Sequence, residues 1–173
     1  MMIIIYMNCS KTAIQFYREF HTHPVNKLIH CITIPLLVIT FLNFFYTFKL
    51  HFKTDSLLKT LWGKKYNIQI NKKITLDKLL LSFYIVYYFT LGFYVGIIMT
   101  FYCLLMNYLS YIHRSKRLNW IKESFFIFIL GWILQFFGHY IEGNRPALLT
   151  SLKQAFLTAP AFSFIEILPF NIL

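Results

Sequence analysis

Residues 128–149 read FILGWILQFFGHYIEGNRPALL, an almost wholly apolar stretch that carries three polar side chains at regular intervals. Gln135, His139 and Glu142 are spaced at i, i+4 and i+7. On a helix that advances about 100° per residue, they form one narrow stripe. Ionisable groups within apolar membrane helices are costly and usually face the interior of a bundle. The stripe therefore predicts a buried polar site that also needs polar partners from another part of the chain.

The composition of the 173-residue chain is that of a membrane protein, with 58% hydrophobic and only 13% charged residues. Soluble domains contain about 25% charged residues. The length fits one membrane-embedded domain over residues 1–173. The net charge of +11 comes from Lys and Arg that lie between apolar blocks. This arrangement is typical of loops at a membrane surface, and no nucleic-acid partner is expected.

The apolar blocks predict an all-α, small polytopic membrane helix bundle with four or five apolar helices. Residues 31–48 carry no charge, and residues 49–78 form a basic loop with eight lysines. Residues 79–112 are uncharged over 34 positions. One helix of that length would measure about 50 Å, against a hydrocarbon core of about 30 Å. We therefore expect two helices that turn near Gly92 and Gly96. The other apolar stretches are residues 124–141 and the C-terminal PAFSFIEILPFNIL.

Basic segments on both sides of residues 79–112 predict that this block crosses the membrane an even number of times. Residues 11–30 are also mildly basic, although only the stretch 31–48 separates them from the basic loop. Either residues 31–48 are re-entrant, or the weaker N-terminal charge bias is overruled.

The polar partner of the first stripe is expected in FHTHPVNKLIHCITIPL, near the N-terminus. Pro24 suits the first turn of a helix, with Thr22 or His23 as its N-cap. Asn26 and His30 then lie at i and i+4 on one face of that helix. At the other stripe, Gly143 or Asn144 could end the helix in a left-handed conformation.

Together the two stripes predict a metal site. His21, His23 and His30 would lie opposite His139 and Glu142, although His23 could instead only cap the helix. Imidazole with carboxylate suits iron, zinc or copper. The same residues are also compatible with simple hydrogen bonding between helices, in which His139 and Glu142 form a structural pair. Arg145 could anchor the chain at the membrane interface or hold a substrate carboxylate. The residues expected to orient the ligands are Asn26 and Gln135.

Both stretches resemble the motifs of the Mpo1-like family of small membrane proteins, and the tail QAFLTAPAFSFIEIL resembles the family's C-terminal end. In the stretch HTHPVNKLIHCITIPL, the motif positions are His21, Asn26, His30 and Pro35. In the stretch GWILQFFGHYIEGNRPAL, they are Trp132, Gln135, Phe136, Gly138, His139, Glu142, Pro146, Ala147 and Leu148. The middle of the chain matches the family only in hydropathy.

The resemblance implies an Fe(II)-dependent dioxygenase that acts on long-chain 2-hydroxy fatty acids in α-oxidation. It implies that O2 is consumed, and that the products are CO2 and a fatty acid shorter by one carbon. The family's essential histidines correspond to His21, His30 and His139. Glu142 is the candidate to complete the iron site, as a ligand or as a support for the ligands. The resemblance also implies a multi-pass protein of the endoplasmic reticulum membrane.

Two alternative functions make different demands on the sequence. A di-iron lipid hydroxylase or desaturase needs several HxxxH and HxxHH boxes, whereas this chain has six histidines and no HxxHH. A non-enzymatic membrane protein, whose His and Glu residues only pair helices, remains the alternative. The aromatic residues of 79–112 would then be plain bundle walls, although they could equally line a groove for an acyl chain.

Overall fold

A computed structural model describes residue 18 and residues 21–51, 73–143 and 154–166 of the chain. Within these ranges the protein is an all-α bundle, as predicted, with one short antiparallel pair of strands. The helices are α1 Pro24–Tyr46, α2 Leu76–Leu91, α3 Phe93–Lys116, α4 Trp120–Glu142 and α5 Ala159–Ile165. A π-helical turn, Gln154–Thr158, leads into α5. Three of the helices, α1, α3 and α4, are long and apolar enough to cross a membrane.

The paired strands, β1 Lys49–His51 and β2 Lys73–Thr75, shorten the basic loop that was predicted over residues 49–78. Lys49 lies opposite Thr75 in their antiparallel register. The helix that follows begins at Leu76, three residues earlier than the apolar run suggested. The sequence pattern places the charged residues Asp77 and Lys78 in the loop. In the structure they belong to the first turn of α2, so the helix begins earlier than predicted.

The predicted turn within residues 79–112 is confirmed at Gly92, which separates α2 from α3. Gly92 has φ 154° and ψ 152°, a backbone conformation that is essentially restricted to glycine. All of the segment 31–48 except its last two residues lies within α1, which begins at Pro24 and has 23 residues. Its length matches a membrane crossing, because about 20 residues span the hydrocarbon core.

Ring and hydrogen-bond contacts define the two ends of the bundle. Tyr46 and Trp120 have ring centroids 6.3 Å apart, and Glu142 contacts Thr22. Helices α1 and α4 are therefore antiparallel. Ser110, near the end of α3, donates a hydrogen bond to Asn43, near the end of α1, so these two helices run in parallel. We call the end that holds Thr22 and Glu142 the histidine end, and the opposite end the strand end.

A buried polar cluster, the Asn43 network, joins the helices at the strand end. The side chain of Asn43 donates to Ser124 Oγ at 2.9 Å and accepts from Ser110 Oγ at 2.8 Å. Arg114 donates to the same Asn43 oxygen at 3.0 Å and lies 4.0 Å from Asp77. Asn43, Ser110 and Ser124 are fully buried. The network therefore ties together side chains from α1, α2, α3 and α4.

Two glycines of α4 permit its close approach to α1. A Cβ at Gly138 would lie 2.3 Å from Asn26 Oδ1, and a Cβ at Gly131 would lie 2.9 Å from a methyl carbon of Leu37. No real Cβ atom tolerates the first contact. Small residues at such positions allow helix backbones to pack closely within membranes.

We expect Gly138→Ala to lower the free energy of unfolding by about 1–3 kcal/mol, because the added methyl overpacks the contact with Asn26. Gly131→Ala should cost less, because the leucine methyl that it meets can rotate away. Thermal unfolding in detergent measures both variants. Equal midpoints for Gly138→Ala and the parent protein would contradict the assigned contact.

Candidate metal centre

Three imidazoles meet inside the histidine end. His21, His30 and His139 are 0%, 1% and 5% exposed, and one nitrogen of each lies within 4.8 Å of the others. Their ring centroids are separated by 4.4, 4.8 and 4.9 Å, and the rings meet edge to face. Nitrogens that are each about 2.1 Å from a common ion lie at most about 4.2 Å apart. A small rotation of the rings therefore suffices for all three to bind one ion.

The local structure explains how distant parts of the chain supply these rings. His21 immediately precedes the N-cap region of α1, His30 lies in the second turn of α1, and His139 lies in the last turn of α4. The structure thus brings together the three histidines that the two stripes predicted. Their role as ligands stays a prediction.

The nitrogen chemistry of the site suits a metal ion. His30 Nδ1 lies 3.0 Å from the backbone oxygen of Asn26. A proton on Nδ1 for that hydrogen bond leaves Nε2 with a lone pair, the usual arrangement in a metal-binding histidine. His139 Nδ1 is buried and has no hydrogen-bond partner in the part of the chain that the structure describes. A buried polar atom normally has a partner, so this nitrogen also fits a ligand role.

Glu142 lies outside this histidine group and caps α1 from the end of α4. It accepts hydrogen bonds from the backbone N–H of His23 at 2.9 Å and from Thr22 Oγ1 at 2.8 Å. The backbone N–H of Thr22 and the side-chain amide of Asn26 also donate to it. Helix N-termini leave N–H groups unpaired and favour a negative charge. These contacts favour a role in orienting the residues around His21 over direct ligation.

The other predicted site residues have mixed outcomes. His23 is the N-cap of α1, with its Nδ1 accepting from Val25 N–H at 3.2 Å. Asn26 donates to Glu142 through its side-chain amide, and its role as an orienting residue stays a prediction. Gln135 is buried but donates to Thr33 Oγ1 at 2.8 Å. Arg145 lies outside the described residues.

Helix α5 covers the histidine end, a feature that the sequence did not reveal. The ring of Phe162 lies 5.3 Å from that of His21. Lys27 Nζ lies 2.7 Å from Glu166 Oε1, and Arg18 lies 3.4 Å from Oε2 of the same residue. Burial alone would raise the pKa of Glu166, but these two cations lower it below its usual value. The ion pairs hold α5 against α1, above the imidazoles.

An elongated pocket of about 340 Å³ leads away from the histidines through the bundle. His30, His139 and Gln135 line one end, and Phe45, Leu80 and Leu81 line the other. Its walls are otherwise mostly aliphatic and aromatic, and none of the described lining residues is acidic, Lys or Arg. The arrangement suits a long apolar molecule with a polar group at the histidine end.

Comparisons with known proteins identify the family to which the chain belongs. The family model described as "2-hydroxy-palmitic acid dioxygenase Mpo1-like" matches residues 7–170. The curated relative "2-hydroxy-palmitic acid dioxygenase MPO1" of Saccharomyces cerevisiae is 29% identical over 159 residues, covering 91% of this chain and 79% of the relative. No solved structure matches the chain significantly.

If the three imidazoles bind a metal, His30→Ala and His139→Ala should each purify with little or no metal. Each substitution removes one of the three ligands, and the two histidines that remain would bind the ion only weakly. Elemental mass spectrometry on detergent-purified protein measures iron, zinc and copper together. His23→Asn is the matched control, because asparagine is also a good N-cap and the change removes an imidazole two residues from His21. Parent-like metal content in both alanine variants would contradict the site.

The role of Glu142 can be separated from ligation by two substitutions. Glu142→Ala removes the cap of α1 and should lower the free energy of unfolding by about 1–2 kcal/mol. It should also weaken metal binding by about 10–100-fold, as is typical when a residue that orients the ligands is lost. Glu142→Gln keeps one acceptor oxygen and should retain most of the metal. Complete metal loss in a folded Glu142→Gln protein would instead identify the carboxylate as a ligand.

Proposed function

Because the chain belongs to the Mpo1-like family, we propose that it is a membrane-embedded, Fe(II)-dependent dioxygenase of long-chain 2-hydroxy fatty acids. The observation that supports this most strongly is the position of three buried imidazoles at the end of an apolar pocket. Within the family, a relative whose name specifies 2-hydroxy-palmitic acid aligns over 91% of this chain.

The proposed reaction is one step of α-oxidation. A 2-hydroxy fatty acid and one O2 give CO2, one water and a fatty acid shorter by one carbon. The bond between carbons 1 and 2 breaks, carbon 1 leaves as CO2, and carbon 2 becomes the new carboxyl carbon. All atoms balance with a single O2, so the reaction needs no external reductant.

His21, His30 and His139 would hold the iron through neutral imidazole nitrogens. When bound, Fe(II) supplies the redox chemistry and open coordination positions for O2 and for the oxygens of the substrate. The chain's own contribution is positional. Glu142 fixes the backbone next to His21, and Asn26 fixes the ring of His30. Helix α5 covers the site, so that water is kept from the reacting end of the substrate.

The substrate's carboxylate and its acyl chain have different requirements. The acyl chain of the substrate would occupy the apolar pocket, whose lining favours a membrane-soluble molecule. For the carboxylate we propose Arg145, which follows Glu142 by three positions in the sequence. A guanidinium matches a carboxylate through two parallel hydrogen bonds. Membrane lipid would surround α1, α3 and α4, and the endoplasmic reticulum is the membrane that the family resemblance suggests.

The decisive experiment supplies purified, Fe(II)-reconstituted protein with 2-hydroxypalmitate that carries ¹³C at carbon 1, in air. We expect pentadecanoic acid and labelled CO2 in equal amounts by mass spectrometry. Palmitate, which lacks the 2-hydroxyl, and anaerobic incubation are the negative controls, together with His30→Ala. A folded, iron-loaded protein that forms no product would contradict the proposal and favour a role in which the histidines only pair helices.

A further inference from the structure

We propose that the strand end of the pocket sets the length of the acyl chain that the protein accepts, with an optimum near sixteen carbons. Phe45, Leu80 and Leu81 form this floor. Two members of the Asn43 network, Arg114 and Asp77, lie next to it. The inference rests on the proposed function, because it names the chain-length class of the same substrate.

The depth of the pocket follows from the helix that lines it. His30 and Phe45 both line the pocket and lie fifteen positions apart on α1, which corresponds to about 22 Å along the helix axis. Ile34, Val38 and Phe41 line it in between, so the pocket follows α1 throughout. Helical side chains lean towards the N-terminus of their helix, so both ends shift in the same direction and the depth is unchanged.

That depth can be expressed as a number of carbons. An extended chain with bonds of about 1.5 Å and angles of about 111° advances about 1.25 Å per carbon. A depth of about 22 Å therefore accommodates about sixteen to eighteen carbons. The value agrees with a relative that is named for 2-hydroxy-palmitic acid.

The strand end is a floor because polar groups close it. Arg114 lies over the ring of Tyr46, which follows Phe45 on α1, and Asp77 lies one turn before Leu81 on α2. Asn43 is 0% and Asp77 2% exposed. A longer chain would have to separate hydrogen bonds of the Asn43 network. Leaving buried polar groups unpaired costs more than the burial of one further CH2 group gains.

The opposite half of the pocket is where a lipid can enter. Phe136 lines the pocket and is 46% exposed. Phe136 lies next to the last turn of α4, which holds His139. Phe45, Leu80 and Leu81 are only partly exposed. The acyl chain of the substrate therefore enters the pocket near the histidines and extends towards the strand end.

The test is a series of saturated 2-hydroxy acids from twelve to twenty-two carbons, supplied to the parent protein and to floor variants. We expect a parent optimum near sixteen carbons. Leu81→Ala and Phe45→Ala should move it to longer chains by about two to four carbons, with binding of the longer acids tightened about fourfold per added CH2. Leu81→Phe should move the optimum to shorter chains. Leu79→Ala is the matched control, because Leu79 is on the same helix, is 40% exposed and does not line the pocket.

Two readouts keep this inference separate from the proposed function. Turnover is measured on the iron-loaded protein, and binding is measured on iron-free protein as the thermal stabilisation produced by each acid. Length preference in binding without any turnover would support the floor and contradict the proposed reaction. An unchanged optimum in Leu81→Phe and in the alanine variants, or equal acceptance of sixteen and twenty-two carbons by the parent, would overturn the floor.

Discussion

The close approach of α1 and α4 at Gly138 is the contact on which the histidine end depends. Because Gly138 has no side chain, the amide of Asn26 fits against α4 and reaches the carboxylate of Glu142. The same contact sets the separation of His30 and His139, whose ring centroids are 4.9 Å apart. A larger distance between α1 and α4 would separate the rings of His30 and His139, and it would also move Glu142 away from the N-terminus of α1. The packing of α1 against α4 and the geometry of the three histidines therefore both depend on the absence of a side chain at Gly138.

The bundle is polar at its two ends and apolar between them. At the histidine end, polar groups face one another around a possible ion, with Glu142 satisfied by N–H donors of α1. At the strand end, Asn43 is satisfied by side chains of α3 and α4. Unpaired polar groups are costly inside a membrane. His139 Nδ1 has no partner among the described residues, so the proposed ion would complete the histidine end. The apolar pocket lies between these clusters, and they determine where it begins and ends.

Local patterns made much of this structure predictable. The helical spacing of His139 and Glu142, the proline at the start of α1 and the glycine between α2 and α3 each reflect short-range geometry. The Asn43 network was missed because Asn43, Ser110 and Ser124 are single small polar residues in separate apolar runs, without a periodic pattern. The capping role of Glu142 depends on which N–H groups lie opposite it. Only the tertiary fold determines that.

The distribution of charge explains why neutral ligands suit the proposed chemistry. Among the residues that the structure describes, two carboxylates near the histidine end are already satisfied, Glu142 by donors of α1 and Glu166 by Lys27. An ion held by three neutral imidazoles would therefore retain its full positive charge. No described residue that lines the pocket is acidic, Lys or Arg, and charge attraction is strong where water is excluded. The ion would then attract a carboxylate together with the proposed Arg145, and this attraction would select acids over uncharged lipids of the same length.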